Sequence, residues 1–213
     1  MNLISKDIEP LLLDAVMGSP SVIGLAEKYL MSFKEIMKLI NSEEDILDLK
    51  PLRHEYLVED AYVICGKSLI HVGSSSSQIP GYLVFNTLQS CKECNNRVTL
   101  HTHPVPLPIP SPSDILNALQ LSKDVECVGS KIYDEVHILC LSPQSNWKDI
   151  LKVHENFSST LFNIIKYYIP TENEDGSINF IPYPTKDEVI ILEELLLKRL
   201  DSKANTILIK YSL

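Results

Sequence analysis

The chain has 213 residues, of which 45% are hydrophobic, with a formal net charge of -9 and a pI near 5.1. This length and composition are typical of one packed globular domain, or of one domain with a smaller appendage. The acidic balance and the lack of a Lys/Arg-rich run argue against attraction to nucleic acid or anionic membranes. No uninterrupted apolar segment approaches the roughly 20 residues that cross a bilayer, so neither nucleic acid nor membrane is expected as a partner.

The cysteines give an expectation about compartment. There are five of them: Cys65, Cys91, Cys94, Cys127 and Cys140. This odd number, with Lys6, Asp7 and Glu9 where a secretory signal needs an apolar run, predicts a cytoplasmic protein with mostly reduced thiols. Cys91 and Cys94 have C-x-x-C spacing, which suits half of a structural zinc site or a disulfide. Since no second C-x-x-C exists, ordinary thiols that can oxidise are favoured over a metal.

Residues 1 to 50 carry apolar side chains at three- and four-residue steps, which predicts a helical N-terminal extension. Ser19-Pro20 and Asn41-Ser42 are its predicted interruptions. Residues 22 to 40 resemble a helix-turn-helix, but the turn lacks the usual glycine and the surrounding charge is acidic. Helices that pack on the main domain or on a partner are the favoured interpretation.

From residue 58 the pattern changes to short segments rich in β-branched and aromatic residues, which predicts a sheet. The predicted strands are "AYVICG", "SLIHVG", "GYLVFNTL", "RVTLHTH" and "EVHILCLS". "SSSSQIPG", residues 74 to 81, is predicted to be a loop. "SPSDILNALQLSKDV" is predicted to be a helix between the last two strands. Residues 51 to 147 are assigned to this central unit.

Residues 148 to 213 are predicted to form C-terminal helices and a terminal strand. "NWKDILKVHENFSSTLFNIIKYYI" has a helical pattern, "ENEDGS" a loop composition, and "NTILIKYSL" that of a strand. Thr185 and Glu188 form a capping box before the helix "VIILEELLLKRL". One face of that helix carries a broad apolar stripe: Val189, Leu192, Leu196 and Leu200. Such a stripe forms core or an interface with a second copy or another partner.

The residues that carry chemistry are concentrated in "LHTHPVPLPIPSPSDIL", residues 100 to 116. Side chains at i and i+2 of a strand point the same way, so His101 and His103 can present two imidazoles to one point. Neutral imidazole suits zinc, and a catalytic zinc typically has three protein ligands and one position for water. Asp114, thirteen positions after His101 at a helix start, is the natural third ligand.

The same residues also make a good helix start without a metal. Ser111 suits the N-cap, Pro112 the first helical position, and Asp114 the first turn. The local sequence favours this cap, which does not exclude a ligand, because one carboxylate oxygen can meet backbone N–H while the other faces a metal. A hydrolytic zinc also needs a general base near its water, for which Glu55 and Glu59 are candidates.

The alternating prolines from Pro104 to Pro112 favour an extended path with little conformational freedom. Placed between His103 and Ser111, this run fixes where the helix start returns to the histidines. Outside the motif, His71 and His137 are predicted to be strand residues with satisfied ring nitrogens. His54 and His154 suggest no specific role.

"HTHPVPLPIPSPSD" resembles the signature of the JAMM, or MPN+, metalloproteases: an upstream Glu, then H-x-H-P, a loop and S-x-x-D. The matching positions, at the family's spacing, are His101, His103, Pro104, Ser111 and Asp114. "EDAYVICG" resembles the family's opening strand, because a glycine follows Glu59 by seven positions. The resemblance covers about residues 55 to 147. It departs from the family at Pro51, which interrupts the helix before the glutamate, and at Tyr62, where many members have glycine.

The resemblance implies an α/β (α+β) fold with a central, mostly antiparallel sheet flanked by helices. It implies a zinc-dependent metalloprotease or isopeptidase that cleaves the C-terminal tail of a ubiquitin-like or sulfur-carrier protein. The implied zinc ligands are His101, His103 and Asp114, with Glu59 as general base and Ser111 as hydrogen-bond donor to the oxyanion or bound water. Two alternatives stay open: a non-catalytic MPN-type scaffold or binding module, and a JAMM-like protein associated with DNA metabolism.

Overall fold

A computed structural model of the chain describes residues 4–42, 49–76, 79–91, 97–173 and 175–213. Their helices are α1 (Glu9–Gly18), α2 (Phe33–Asn41), α3 (Gly81–Ser90), α4 (Pro112–Gln120), α5 (Trp147–Ile164) and α6 (Lys186–Leu200). Their strands are β1 (Met31–Ser32), β2 (Leu52–Arg53), β3 (Glu59–Cys65), β4 (Ser68–Ser75), β5 (Val98–His103), β6 (Val125–Ile132), β7 (Glu135–Pro143), β8 (Tyr167–Glu172), β9 (Ile178–Pro182) and β10 (Ala204–Ser212). The architecture is mixed α/β, with two sheets of mostly antiparallel strands.

The main sheet has six strands in the order β10-β7-β6-β5-β3-β4. Strands β5 and β6 are parallel, because α4 carries the chain back between them. This crossover brings the start of α4 to the end of β5, where the two motif histidines lie. A smaller sheet pairs β8 with β1, β2 and β9. In the described ranges, no helix combines the length and apolarity that a membrane span requires.

Side-chain alternation along the strands divides the core between the two faces of the main sheet. Ile138 and Cys140 of β7 face the cluster that contains Leu12 and Val16 of α1. Leu139 and its alternate neighbours on β7 face the opposite cluster, which α4, α5 and α6 complete. Because successive strand residues point to opposite faces, one strand supplies both layers. The α6 stripe of Val189, Leu192, Leu196 and Leu200 is fully buried in the core, as one of its two interpretations predicted.

Several predicted elements are confirmed. Helix α4 begins after Ser111, and α6 begins after Thr185 with the predicted capping box. The terminal segment forms β10, which pairs along its whole length with β7. Helix α1 ends at Gly18 and α2 at Asn41, at the predicted interruptions. The boundaries at residues 50 and 147 stay predictions.

Two helix and strand assignments were wrong. "GYLVFNTL" forms α3 and not a strand, because Val84 and Leu88, one helical turn apart, pack together on Val63 of β3. Tertiary packing outweighs the β-rich composition here. The helical pattern at residues 22 to 30 also fails to form an α-helix: among residues 22–42, only Phe33–Asn41 is α-helical, and a 3-10 turn at Ala26–Tyr29 precedes it. The helix-turn-helix, which the sequence disfavoured, is therefore not formed.

Five strands were missed, including the two-residue strands β1 and β2. β6 lies in the segment after α4, where no strand was predicted. The predicted helix through "FNIIKYYI" ends at Ile164, and its last residues begin β8. The "ENEDGS" loop turns the chain from β8 into β9, with which β8 pairs; Glu174 of this loop lies outside the described residues.

The expectation of reduced thiols was wrong for four of the five cysteines. Cys127 and Cys140 are register partners on β6 and β7, and they form a disulfide. Cys65 at the end of β3 bonds to Cys91 after α3. Strand register and helix packing create both pairs, so sequence spacing did not reveal them. Cys94 lies outside the described residues, but Cys91 is bonded to Cys65 and so is not the ordinary thiol that was predicted for the C-x-x-C pair.

Gly129 of β6 provides a test of how closely α1 packs on the sheet. A Cβ at this position would lie 2.2 Å from Cγ2 of Val16, whose side chain is 1% exposed. We expect Gly129→Ala to lower the free energy of unfolding by about 1–3 kcal/mol through overpacking, as measured by urea denaturation.

Two controls accompany Gly129→Ala. Adding Val16→Ala removes the clashing methyl groups, so the double variant should lose less stability than the sum of the two single changes. At Gly73 of β4 an added Cβ meets nothing within 4 Å, so Gly73→Ala should change stability by less than about 0.5 kcal/mol. A Gly129→Ala protein as stable as the parent would contradict this packing.

Candidate metal centre

Two adjacent strands bring the predicted residues to one face of the main sheet. Ala61 of β3 is the antiparallel partner of His101 on β5. His103 lies two positions beyond His101, and Glu59 two positions before Ala61, so the pleat directs all of them to the same face. The β5–α4 loop then folds back, and the start of α4 adds Asp114 to this face.

The three predicted metal ligands converge. His101 Nε2 lies 3.1 Å from His103 Nε2 and 3.4 Å from Asp114 Oδ2, and His103 Nε2 lies 3.9 Å from the same oxygen. Ligand atoms about 2.0–2.1 Å from a tetrahedral zinc are separated by about 3.4 Å. Among the described residues, these three therefore form a group that fits one cation.

The second ring nitrogen of each histidine fixes its tautomer. His101 Nδ1 lies 2.8 Å from Glu126 Oε1, and His103 Nδ1 lies 2.7 Å from the carbonyl oxygen of Leu107. Both partners are acceptors, so both Nδ1 atoms carry the proton and both Nε2 atoms present lone pairs. Three acceptor atoms then face one another, which requires a proton or a cation between them. Two neutral imidazoles and one carboxylate are a ligand set that zinc accepts.

The pKa shifts follow from this geometry. Burial opposes a charge on His101, but the carboxylates of Asp114 and Glu126 outweigh it and raise the pKa of this imidazole well above its usual value. Burial likewise opposes a charge on Asp114, yet His101, His103 and the Ser111 hydrogen bond hold the pKa of this carboxyl well below its usual range. The acceptors that favour a proton on His101 are thus the ones that would face a cation, and a metal would compete with that proton.

One oxygen of Asp114 both completes the capping interaction of α4 and faces the two histidines as the candidate metal ligand. Asp114 Oδ2 accepts hydrogen bonds from the backbone N–H of Ser111, at 2.6 Å, and from its hydroxyl, at 2.7 Å. The same atom faces His101. The sequence interpretation assigned the two functions to different oxygens, and that detail was wrong. Two donors thus hold the carboxylate in the orientation in which it faces the histidines.

Glu126 is a residue that the sequence reasoning missed. Its carboxylate is 2% exposed and accepts hydrogen bonds from Thr99 Oγ1 and from Lys123 Nζ, both at 2.5 Å, besides its contact with His101. Burial raises the pKa of this carboxyl, but the Lys123 ammonium and His101 lower the pKa by a larger amount. The net shift of the Glu126 pKa is therefore downward. The available signal was a glutamate inside the apolar run "VECV" three residues after a lysine.

A cavity of about 550 Å³ contains the site. All five predicted site residues line it, and α5 supplies a wall formed by His154, Phe157, Ser158 and Leu161. Glu59 lines this cavity. Glu55 is not among the lining residues; it is exposed and forms a 3.5 Å ion pair with Arg53. Of the two candidate bases, Glu59 is therefore the one near the ligands.

His154 is a second residue that the sequence reasoning missed. It is 2% exposed, and its Nδ1 lies 2.9 Å from the carbonyl oxygen of Pro110. Its Nε2 is buried and has no hydrogen-bond partner among the described residues. Burial lowers the pKa of His154 to about 4. His71 and His137 lie in strands, as predicted; Nε2 of His71 contacts Asp60, and both ring nitrogens of His137 contact carboxylates.

No known protein family matches the chain, and no curated protein matches it in sequence. The interpretation of the site therefore depends on its own geometry and on the motif.

If zinc binds at this candidate centre, Glu126→Gln should weaken that binding about 10–100-fold, because the carboxylate that orients His101 and increases its basicity becomes a neutral amide. Competition with a chromophoric chelator measures the dissociation constant. The matched control is Asp60→Asn, a buried carboxylate on the opposite face that bonds to Ser19 and His71. It should leave zinc affinity unchanged, and equal losses in both variants would contradict the assignment.

The lowered pKa of His154 predicts a pH dependence of stability. The unfolded chain takes up this proton below about pH 6.5 and the folded chain only near pH 4, so stability should fall as pH decreases through that window. The loss is about 3 kcal/mol at about 1.4 kcal/mol per pKa unit. Urea denaturation of the parent and of His154→Leu at pH 7 and pH 4 measures this loss. The His154→Leu protein should lack the part of the stability loss that comes from His154. Parallel pH profiles would contradict it.

Proposed function

We propose that this protein is a zinc-dependent hydrolase of peptide or isopeptide bonds, of the JAMM/MPN+ type that its motif resembles. The observation that carries the proposal is the convergence of three acceptor atoms, from His101, His103 and Asp114, within 3.9 Å of one another. The hydrogen bonds from Nδ1 of His101 and of His103 to their acceptors give the proposal further support. Histidines that bind metals typically donate their other ring N–H to a carboxylate or carbonyl in this way.

Zinc held by these residues supplies Lewis acidity, which polarises a substrate carbonyl and lowers the pKa of water. Glu59 is the proposed general base, because its half-buried side chain lines the cavity from the strand next to the histidines. Its carboxylate takes a proton from the attacking water and returns that proton to the leaving nitrogen. Ser111 is the proposed donor to the oxygen that gains negative charge; its one hydroxyl proton, which Asp114 Oδ2 accepts in this structure, turns to that oxygen while the Ser111 N–H keeps its bond to the carboxylate. Its hydroxyl lies at the cavity wall, 2.7 Å from Asp114 Oδ2.

The proposed substrate is the C-terminal tail of a ubiquitin-like or sulfur-carrier protein, a class that comes from the motif resemblance. A second cavity of about 580 Å³ adjoins the first and shares Glu59, Val105 and Ile181 with it. Thr171, Asn173 and Asn179 of the β8–β9 hairpin give this second cavity a polar wall. An extended chain that crosses the site has room and hydrogen-bonding groups on this side, which supports a polypeptide substrate.

The test combines zinc content with cleavage of ubiquitin-like fusion proteins. The parent should contain about one zinc and cleave the fusion. Glu59→Gln should keep the zinc and lose cleavage by at least about 100-fold, because an amide cannot take the proton. Asp114→Ala should lose both. Glu55→Gln is the matched control, and it should keep both because its side chain is exposed and outside the cavity lining.

The outcomes separate the alternatives. A parent without zinc would contradict the site itself. A parent that binds zinc but cleaves no fusion would favour the non-catalytic scaffold function. An active Glu59→Gln protein would move the general base elsewhere.

A further inference from the structure

The loop between β5 and α4 needs hydrogen-bond donors from other parts of the chain. Five of its residues have no N–H: Pro104, Pro106, Pro108, Pro110 and Pro112. Residues 104 to 110 are buried, so water cannot freely solvate their carbonyl groups. The carbonyls of this loop therefore depend on donors supplied by neighbouring elements.

The observed donors come from four different places. The backbone N–H of Val22 donates to Pro104, and the hydroxyl of Ser130 donates to Val105. His103 donates to Leu107, and His154 to Pro110. The last of these contacts is one residue before Ser111, where the helix cap and the candidate ligand set begin.

A trans peptide unit links this contact to the metal site. The carbonyl of Pro110 and the N–H of Ser111 belong to one planar unit and point in opposite directions. The carbonyl accepts from His154 Nδ1, at 2.9 Å, while the N–H donates to Asp114 Oδ2, at 2.6 Å. Rotation of this unit away from His154 would also turn the N–H away from the ligand oxygen.

We propose that His154 is a positioning residue of the metal centre: its Nδ1–H holds the Pro110 carbonyl and so presets Ser111 and Asp114 against the two histidines. This inference rests on the proposed metal-binding function, because the residues that it positions are the proposed ligand and its cap. His154 belongs to α5, an element outside the motif, and its buried ring sits at a fixed place in the cavity wall.

The other ring nitrogen supports this assignment. Nε2 of His154 has no partner in the described part of the chain, so it contributes no hydrogen bond that would explain a histidine here. The ring is neutral at neutral pH because burial lowers its pKa. Its single proton then lies on Nδ1, where the Pro110 oxygen accepts it. What the position requires is a donor at the place of Nδ1.

The test uses His154→Asn and His154→Leu, whose side chains have the same number of non-hydrogen atoms and the same branching. The Asn amide N–H lies close to the place of Nδ1 and can donate to Pro110, whereas Leu cannot. Two quantities are measured: the zinc dissociation constant, and hydrogen exchange of the Ser111 amide in the metal-free protein. We expect His154→Leu to weaken zinc binding about 10-fold or more and to speed exchange at Ser111, and His154→Asn to restore most of both.

A third variant and the choice of readouts keep the test decisive. His154→Gln places its amide near Nε2, so it should behave like Leu; if His154→Leu does not fold, the comparison of Asn with Gln replaces it. Asn and Leu proteins with equal zinc affinity and equal Ser111 exchange would overturn the positioning role. If the parent binds no zinc, the proposed function fails, but amide exchange in the metal-free variants still tests the role of His154.

Discussion

The site depends on holding three hydrogen-bond acceptors face to face. Two imidazole lone pairs and a carboxylate oxygen repel one another at separations of 3.1 to 3.9 Å. Each of these side chains therefore needs a second hydrogen bond that holds its orientation. The partners are Glu126 for His101, the Leu107 carbonyl for His103, and the N–H and hydroxyl of Ser111 for Asp114. Much of the surrounding structure provides these supports. The parallel β5–β6 pair brings Glu126 beside Thr99 and near His101, and the crossover brings α4 to the end of β5.

The side-chain charges around the site give it a net negative charge that a divalent cation would balance. The carboxylates of Glu59, Asp114 and Glu126 surround the cavity, and Lys123 supplies one ammonium group there. Two negative charges remain when both imidazoles are neutral, and a divalent cation would balance them. Charges in a partly buried cavity are poorly screened, so this balance favours a bound metal.

Two other clusters of histidine and carboxylate side chains, around His137 and around Asp60, differ from the candidate metal centre. His137 is fully buried between Glu193 and Glu135, each within 2.7 Å of one of its ring nitrogens. Asp60, on the other face of the sheet, is bonded by Ser19, Ser74 and His71. In the part of the chain that the structure describes, neither cluster brings three such ligand atoms within 4.8 Å of one another, as the candidate metal centre does. The presence of histidine and carboxylate is therefore not what distinguishes the candidate metal centre.

The parts of the site that the sequence could predict are those with local periodicity. His101 and His103 follow from the two-residue period of a strand, and Ser111 and Asp114 follow from helix capping. Glu126 and His154 could not be found in this way, because strand pairing and α5 packing bring them to the site over 25 and 44 positions. The disulfide of Cys127 and Cys140 depends on register in the same way. Helix α3 was mistaken for a strand because its composition is β-rich and its packing is not local.

The proline-rich loop between β5 and α4 connects the motif residues to contacts with elements that are distant in sequence. Its alternating prolines restrict the backbone before the chain folds, which lowers the entropy lost when Asp114 is brought back to the histidines. They also remove N–H groups from the segment that passes nearest the ligands. A loop N–H directed at a histidine Nε2 would compete with a cation for that lone pair, whereas the Ser111 N–H at the end of the loop binds and orients Asp114 Oδ2. The loop instead offers carbonyls, which bind donors on β5, β6 and α5 and pull its backbone toward the protein. With proline at every second position, the loop has fewer N–H groups that could occupy the two histidine lone pairs that a metal would need.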